Sequence, residues 1–392
     1  MGREKRGPAW VLLGLLPLLG LGLLLASIFI YGVGVGRSDA PPVEDLTVGR
    51  VTLPTENEIV VHVQNGGPNP VTLEQVVVND ALWDFRVQPD GTIPRLGSAE
   101  VVIPYMWVEG EAYEIVLISE TGTTFDAEVP VAVLTPGFSG ETFSEYALIG
   151  FYVGVVPVTL GLLWYPFLRR LGNAGMNFVL ALTVGLLVFL ALDTLLEAVE
   201  IAGRLPGAFS GVPLVILVAL LTLLGLLGVE RLFRRGEVGR LATSYRIALG
   251  IGLHNLGEGL AIGAAFALGE AALGTFLILG FTLHNITEGV GIAAPVLKEK
   301  RPRLAHFVAL ALLGGGPAIA GTWIGGFAYS NLLSAVFLAI GVGAILQVVY
   351  EVGRLLMKDT SSSKAPVFSA TNLGGLTVGI AIMYVTALLV SV

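Results

Sequence analysis

The sequence predicts a polytopic α-helical membrane protein, in which an eight-helix core follows a signal-anchor helix and an all-β, immunoglobulin-like sandwich. Three observations predict it. Of 392 residues, 54% are hydrophobic and only 13% charged, which is the balance of a membrane protein. Apolar runs long enough to cross a bilayer recur along the chain, one near the start and eight after residue 140. Between them the basic residues crowd into alternate loops. Cysteine is absent, which excludes disulfides and thiolate metal ligands. The net charge of −8 is uninformative alone, and nothing in its distribution suggests nucleic-acid binding.

Residues 1–36 hold a basic start, Gly2-Arg3-Glu4-Lys5-Arg6, and an apolar run from Ala9 to Val35. The run is too long for an ordinary signal-peptide core, so it reads as an uncleaved anchor with its amino end in the cytoplasm. Residues 42–136 change to the composition of a soluble domain. Strand-period runs at Glu58–Val63, Val71–Val78, Ala81–Val87, Glu100–Ile103 and Ala112–Ile118 are separated by turn clusters such as Asn65-Gly66-Gly67-Pro68 and Pro89-Asp90-Gly91. That spacing fits a seven-stranded sandwich. It contains no catalytic constellation, and His62 stands alone in its strand.

Residues 144–392 form the core, with spans near 144–168, 177–201, 211–233, 243–268, 271–297, 304–328, 331–357 and 371–391. If the amino terminus is cytoplasmic, the inner loops should carry the positive charge. Together with the amino terminus they hold all but five of the 22 Lys and Arg, the exceptions being Arg37, Arg50, Arg86, Arg95 and Arg204. The sandwich and the carboxyl terminus are therefore expected outside, in the cell membrane of a multi-pass protein. GxxxG pairs at Gly150–Gly154, Gly259–Gly263, Gly321–Gly325 and Gly375–Gly379 predict close helix packing. Gly314-Gly315-Gly316-Pro317 predicts a kink in the sixth core span.

The chemistry lies in two near-identical hexapeptides, His254-Asn255-Leu256-Gly257-Glu258-Gly259 and His284-Asn285-Ile286-Thr287-Glu288-Gly289, in the fourth and fifth core spans. A charge at mid-membrane depth costs roughly 2.5–3.5 kcal/mol on insertion scales, so it marks function by default. At about 100° per residue, His, Asn and Glu of each motif share one helix face. A hairpin turning around Gly269-Glu270-Ala271 would set His254 level with Glu288, and Glu258 level with His284. Two imidazoles and two carboxylates suit Zn²⁺ and also accept Fe²⁺, Mn²⁺, Co²⁺ or Ni²⁺. Interhelical hydrogen bonding is the alternative reading of such residues, and the repetition at matched depth favours the metal.

Other polar residues lie within the spans. Asp193 and Glu197 share a face of the second core span, with Glu200 a turn nearer its outer end, and read as a cation entrance or a solvated helix end. Gln347 and Glu351 share a face of the seventh, where Glu351 would help an ion leave or would pair with Arg354. His306 adjoins a basic loop and reads as interfacial.

These motifs resemble the ZIP family of divalent-metal transporters. The two hexapeptides resemble the family's His-Asn-x-Pro-Glu-Gly in its fourth helix and the corresponding motif in its fifth. Asp193-Thr194-Leu195-Leu196-Glu197-Ala198 resembles Asp-Leu-Leu-Pro-Glu-Ala of helix two, and Gly343 to Glu351 resembles the glycine-led run of helix seven. The resemblance covers residues 144–392 and leaves out the first helix and the sandwich. It implies uptake of a divalent metal, zinc foremost but also iron or manganese, toward the cytoplasm. It further implies a site between core helices four and five and elevator-like movement, with metal as substrate and no organic cofactor.

The departures from the pattern are Gly257 and Thr287 in place of Pro, Asn285 where many members have an acid, and Gly316 where helix six often carries Glu. Without those carboxylates a second ion would add about two uncompensated charges to a low-dielectric site. A single ion is therefore expected on His254, Glu258, His284 and Glu288, with Asn255 and Asn285 as auxiliary ligands. The expected partners are the metal ion and the bilayer, with a homodimer as one option and the ectodomain's partner unspecified. An intramembrane zinc protease would need His-Glu-x-x-His, which is absent, so no enzyme is expected. The alternative function is a metal-binding receptor or sensor that signals through the outer β-domain.

Overall fold

The computed structural model describes residues 8–31, 43–89, 91–233, 239–298, 302–362 and 366–390. The basic amino end, the close of the first apolar run and parts of the basic loops lie outside the described residues. The chain divides into two compact units, Met1–Pro42 and Val43–Val392. The first contains α1 (Pro8–Tyr31), one apolar helix with Pro17 inside it.

The second unit opens with eight strands: β1 (Leu46–Thr55), β2 (Glu58–Asn65), β3 (Leu73–Val78), β4 (Ala81–Trp83), β5 (Arg86–Gln88), β6 (Ser98–Ile103), β7 (Tyr113–Ser119) and β8 (Thr124–Val129). They form two four-stranded sheets, β1-β2-β6-β5 and β4-β3-β7-β8, in which every pairing is antiparallel. Alternation drives the packing. On β2, Ile59, Val61 and Val63 turn into an apolar core shared with Val76, Ile115 and Leu117 of the other sheet, while His62 and Gln64 are left only partly buried.

This differs from the seven strands expected. The run 81–87 is two strands, β4 pairing with β3 in one sheet and β5 with β6 in the other, so the chain changes sheets at Asp84-Phe85. β1 and β8 were not among the expected runs. Gly49 and Pro54 interrupt the alternation of β1, and only its pairing with β2 holds it as a strand.

Among the described residues, eight helices long and apolar enough to cross a membrane follow: α2 (Gly140–Leu168), α3 (Asn173–Gly203), α4 (Gly207–Gly228), α5 (Arg240–Ala267), α6 (Ala271–Leu297), α7 (Leu304–Ala328), α8 (Asn331–Lys358) and α9 (Ala370–Leu388). They match the expected spans in number and order. Their outward side chains are apolar, as Leu196, Leu217, Leu221, Leu224 and Val385 illustrate, which is what a lipid-facing surface requires. The protein is thus a multi-pass membrane protein.

Two irregularities bear on the site. α7 breaks at Gly316, where Pro317 starts a second segment, as the Gly-Gly-Gly-Pro run predicts. α2 contains a π-helical turn at Phe151–Val155 that no sequence feature announced. The GxxxG pairs are close contacts. A Cβ on Gly259 would overlap the Ala318 carbonyl across the α5–α7 interface, and one on Gly321 would overlap that of Leu256.

The β-domain packs on one end of this bundle. Gly207 N–H donates to Asp45 Oδ2 at 3.2 Å. Gly66 meets Pro206 with no room for a Cβ, and Val133 lies against Gly269 at the α5–α6 turn.

Candidate metal centre

α5 and α6 form the expected antiparallel hairpin, reversing at Gly269, whose φ of +79° suits glycine. The hairpin brings the two motifs together about Glu258. Its Oε1 meets His254 Nε2 at 3.0 Å, one turn back on α5, and His284 Nε2 at 2.5 Å across on α6. Its Oε2 accepts from Asn285 Nδ2 at 3.1 Å. Glu258 and His284 are therefore neighbours, as the hairpin register predicts. All six motif residues are buried, none more than 5% exposed.

His254, Glu258 and His284 offer ligand atoms within 4.8 Å of one another, and such a group can hold a metal ion. Glu288, expected as the fourth member, lies outside this close group but within electrostatic range of all three. Among the described residues both its carboxylate oxygens are buried without a hydrogen bond of ordinary geometry, the Asn255 amide being close, and His254 Nδ1, Asn255 Oδ1 and Asn285 Oδ1 are likewise unpartnered. Orphaned polar atoms deep in a bundle cost several kcal/mol in sum. Gathered in two adjacent motifs, these nitrogen and oxygen donors are the set a borderline divalent cation would satisfy.

The two asparagines do more than expected of auxiliary ligands. Asn255 Nδ2 donates to Gly314 O at 3.0 Å, beside the break in α7, and Asn285 Nδ2 donates to Val153 O at 3.1 Å, inside the π-turn of α2. Each motif thus ties its helix to an irregular stretch of a neighbour, where backbone carbonyls lack regular helical partners. With Nδ2 committed to backbone in both cases, the amide oxygens are the atoms left over.

A cavity of about 620 Å³ reaches this centre. Asp193, Glu197 and Glu200 line it together with His254, Glu258 and His284, so the proposed entrance residues share a space with three of the motif residues. Gln347 and Glu351, the proposed exit residues, do not line it. Gln347 is buried with Oε1 unpartnered. Glu351 is paired with Arg246 of α5, Nε to Oε1 at 3.3 Å and the guanidinium again to Oε2 at 3.3 Å. The pair borders a small cleft also lined by Arg240, Arg354 and Lys358. The expectation for Glu351 overlooked Arg246, although its place inside the 243–268 span marked it as a charge needing a partner. His306 accepts or donates a hydrogen bond with Tyr245 Oη at 2.9 Å.

No family model matches this chain, and no curated protein sequence matches it either. The resemblance to the ZIP family rests on the motifs alone.

Proposed function

We propose that the protein transports divalent metal cations, zinc foremost, toward the cytoplasm through the centre on α5 and α6. The observation that carries this reading is the buried group His254, Glu258 and His284 lining a carboxylate-bearing cavity in a membrane bundle, with Glu288 and orphaned amide oxygens close by. Carboxylate and imidazole ligands bind tightly enough to strip water from an ion, and protons compete for both, which offers a route to release. A closed structural site would have no use for the approach lined by Asp193, Glu197 and Glu200. The ZIP-like motifs support the same direction of transport and relative movement of helix groups, and the departures at Asn285 and Gly316 support a single bound ion.

Uptake into proteoliposomes loaded with a metal-sensitive dye tests this, comparing Zn²⁺, Fe²⁺, Mn²⁺ and Cd²⁺. Saturable flux that disappears in both Glu258→Ala and Glu288→Ala is expected. A second reading, a metal-operated receptor, is favoured by the seating of the β-domain on the α3–α4 and α5–α6 connections. Metal binding without flux in the intact protein would decide for that reading and against transport.

A further inference from the structure

A second cavity, about 350 Å³, lies at the seam between the β-domain and the bundle. Its volume is in the range of small-molecule sites, and domain seams are where such sites concentrate. One wall is the polar side of the first sheet, carrying Arg50, His62 and Gln64. The other is built from the α3–α4 and α7–α8 connections, carrying Arg204, Tyr329 and Asn331.

The strand register puts Arg50 opposite His62, and His62 opposite Glu100, so a cation, an imidazole and a carboxylate stand in one row across three strands. His62 is satisfied within that row. Its Nε2 meets Thr52 Oγ1 at 3.0 Å, and Nδ1 lies 3.5 Å from Glu100. Arg50 is not. Among the described residues its guanidinium makes no side-chain hydrogen bond and no ion pair, although the residue is partly buried. Burial holds it below its ordinary pKa, against the pull of Glu100. A guanidinium offers five donors in a fixed fork, and one partly withdrawn from water favours an anionic acceptor beside it.

Arg204 supplies a second cation from the facing wall. It holds Glu200 at 2.8 Å through one nitrogen, which leaves other donors of its fork unused by that bond. Tyr329 lies within electrostatic range of both arginines, and all three residues line the same cavity.

We propose that this cavity binds a small organic carboxylate, held between Arg50 and Arg204 with Gln64 and Asn331 serving its remaining polar groups. Bidentate pairing with planar carboxylates is what the arginine fork does best. An inorganic phosphate would leave most of the volume empty. The inference does not depend on the transport reading, because neither motif lines this cavity.

The test uses the full chain in detergent, freed of metal on a chelating resin, titrated calorimetrically with citrate, malate, succinate and glutamate, and separately with phosphate. At least one carboxylate is expected to bind saturably at one site per chain. Arg50→Gln and Arg204→Gln should each weaken it tenfold or more, and Arg50→Lys by less than Arg50→Gln. Unaltered thermal unfolding of Arg50→Lys separates loss of the site from loss of the fold. Absence of saturable binding by any of the four would overturn the proposal, as would binding that both Gln variants leave unchanged. Phosphate binding as tightly as the best carboxylate would overturn the assignment of ligand class.

Discussion

Glu258 and Glu288 occupy equivalent places in their motifs and have opposite surroundings. Glu258 receives His254, His284 and Asn285, whereas Glu288 has only the Asn255 amide nearby and, among the described residues, neither of its oxygens makes a hydrogen bond of ordinary geometry. An ion pair is strongly disrupted when one partner goes, while an unpaired buried carboxylate can be replaced by an apolar isostere at little cost or with gain. Glu288→Met should therefore keep or raise the metal-free unfolding temperature, and Glu258→Met should lower it by the equivalent of about 3–5 kcal/mol. Both should lose the stabilisation that added Zn²⁺ confers, and thermal unfolding with and without metal checks the contrast. The motifs themselves were legible, because charged and amide side chains inside apolar runs stand out. The difference between the two glutamates was not, since it depends on side-chain partners that spacing does not reveal.

His62 makes a separate case in the β-domain. Burial, with Arg50 adding to it, holds its pKa below the ordinary value against the opposing pull of Glu100. The unfolded chain therefore takes up the proton first as pH falls. Stability tied to neutral His62 is complete above about pH 6.5 and is lost as the pH drops through the folded-state value. His62→Gln is expected to flatten the acid limb of β-domain unfolding between about pH 7 and 5. An unchanged limb would remove His62 as its cause.

At the scale of elements, α5 and α7 approach so closely that carbonyls occupy the space where glycine lacks a side chain. Leu256, whose carbonyl meets Gly321, sits within the first hexapeptide of the candidate centre. Gly321→Val should thus cost about 1–3 kcal/mol through overpacking and also weaken metal affinity, because pushing α7 away pulls Asn255 from Gly314. Unfolding and metal titration on the same sample would expose an affinity that stays intact, contrary to expectation. Span positions were readable from apolar length, and the α7 break from Gly316-Pro317. The π-turn of α2 was hidden because its carbonyl partner Asn285 lies 132 residues away. The division of β4 from β5 was equally hidden, since both strands carry one continuous run and only pairing separates them.

At the scale of the molecule, the basic loops, the apolar exterior and the eight helices agree on a multi-pass protein. Composition alone reaches that far because every span must satisfy its own backbone in lipid. How the β-domain meets the bundle was beyond the sequence, being decided by contacts between turns such as Gly66 and Pro206 that carry no periodic signal.

One of those contacts offers a handle on motion. A Cβ at Gly269 would lie 3.3 Å from the Val133 Cβ, near the separation a disulfide needs, in a chain whose natural thiol count is zero. Val133→Cys with Gly269→Cys would staple the β-domain to the tip of the hairpin that carries the candidate metal centre. The left-handed backbone at position 269 exacts roughly 1–2 kcal/mol for a side chain there. If ions cross because this hairpin slides, the oxidised staple should arrest flux and a reductant should restore it, while metal still binds at equilibrium. Flux indifferent to the staple would mean that the hairpin stands still and that its neighbours do the moving.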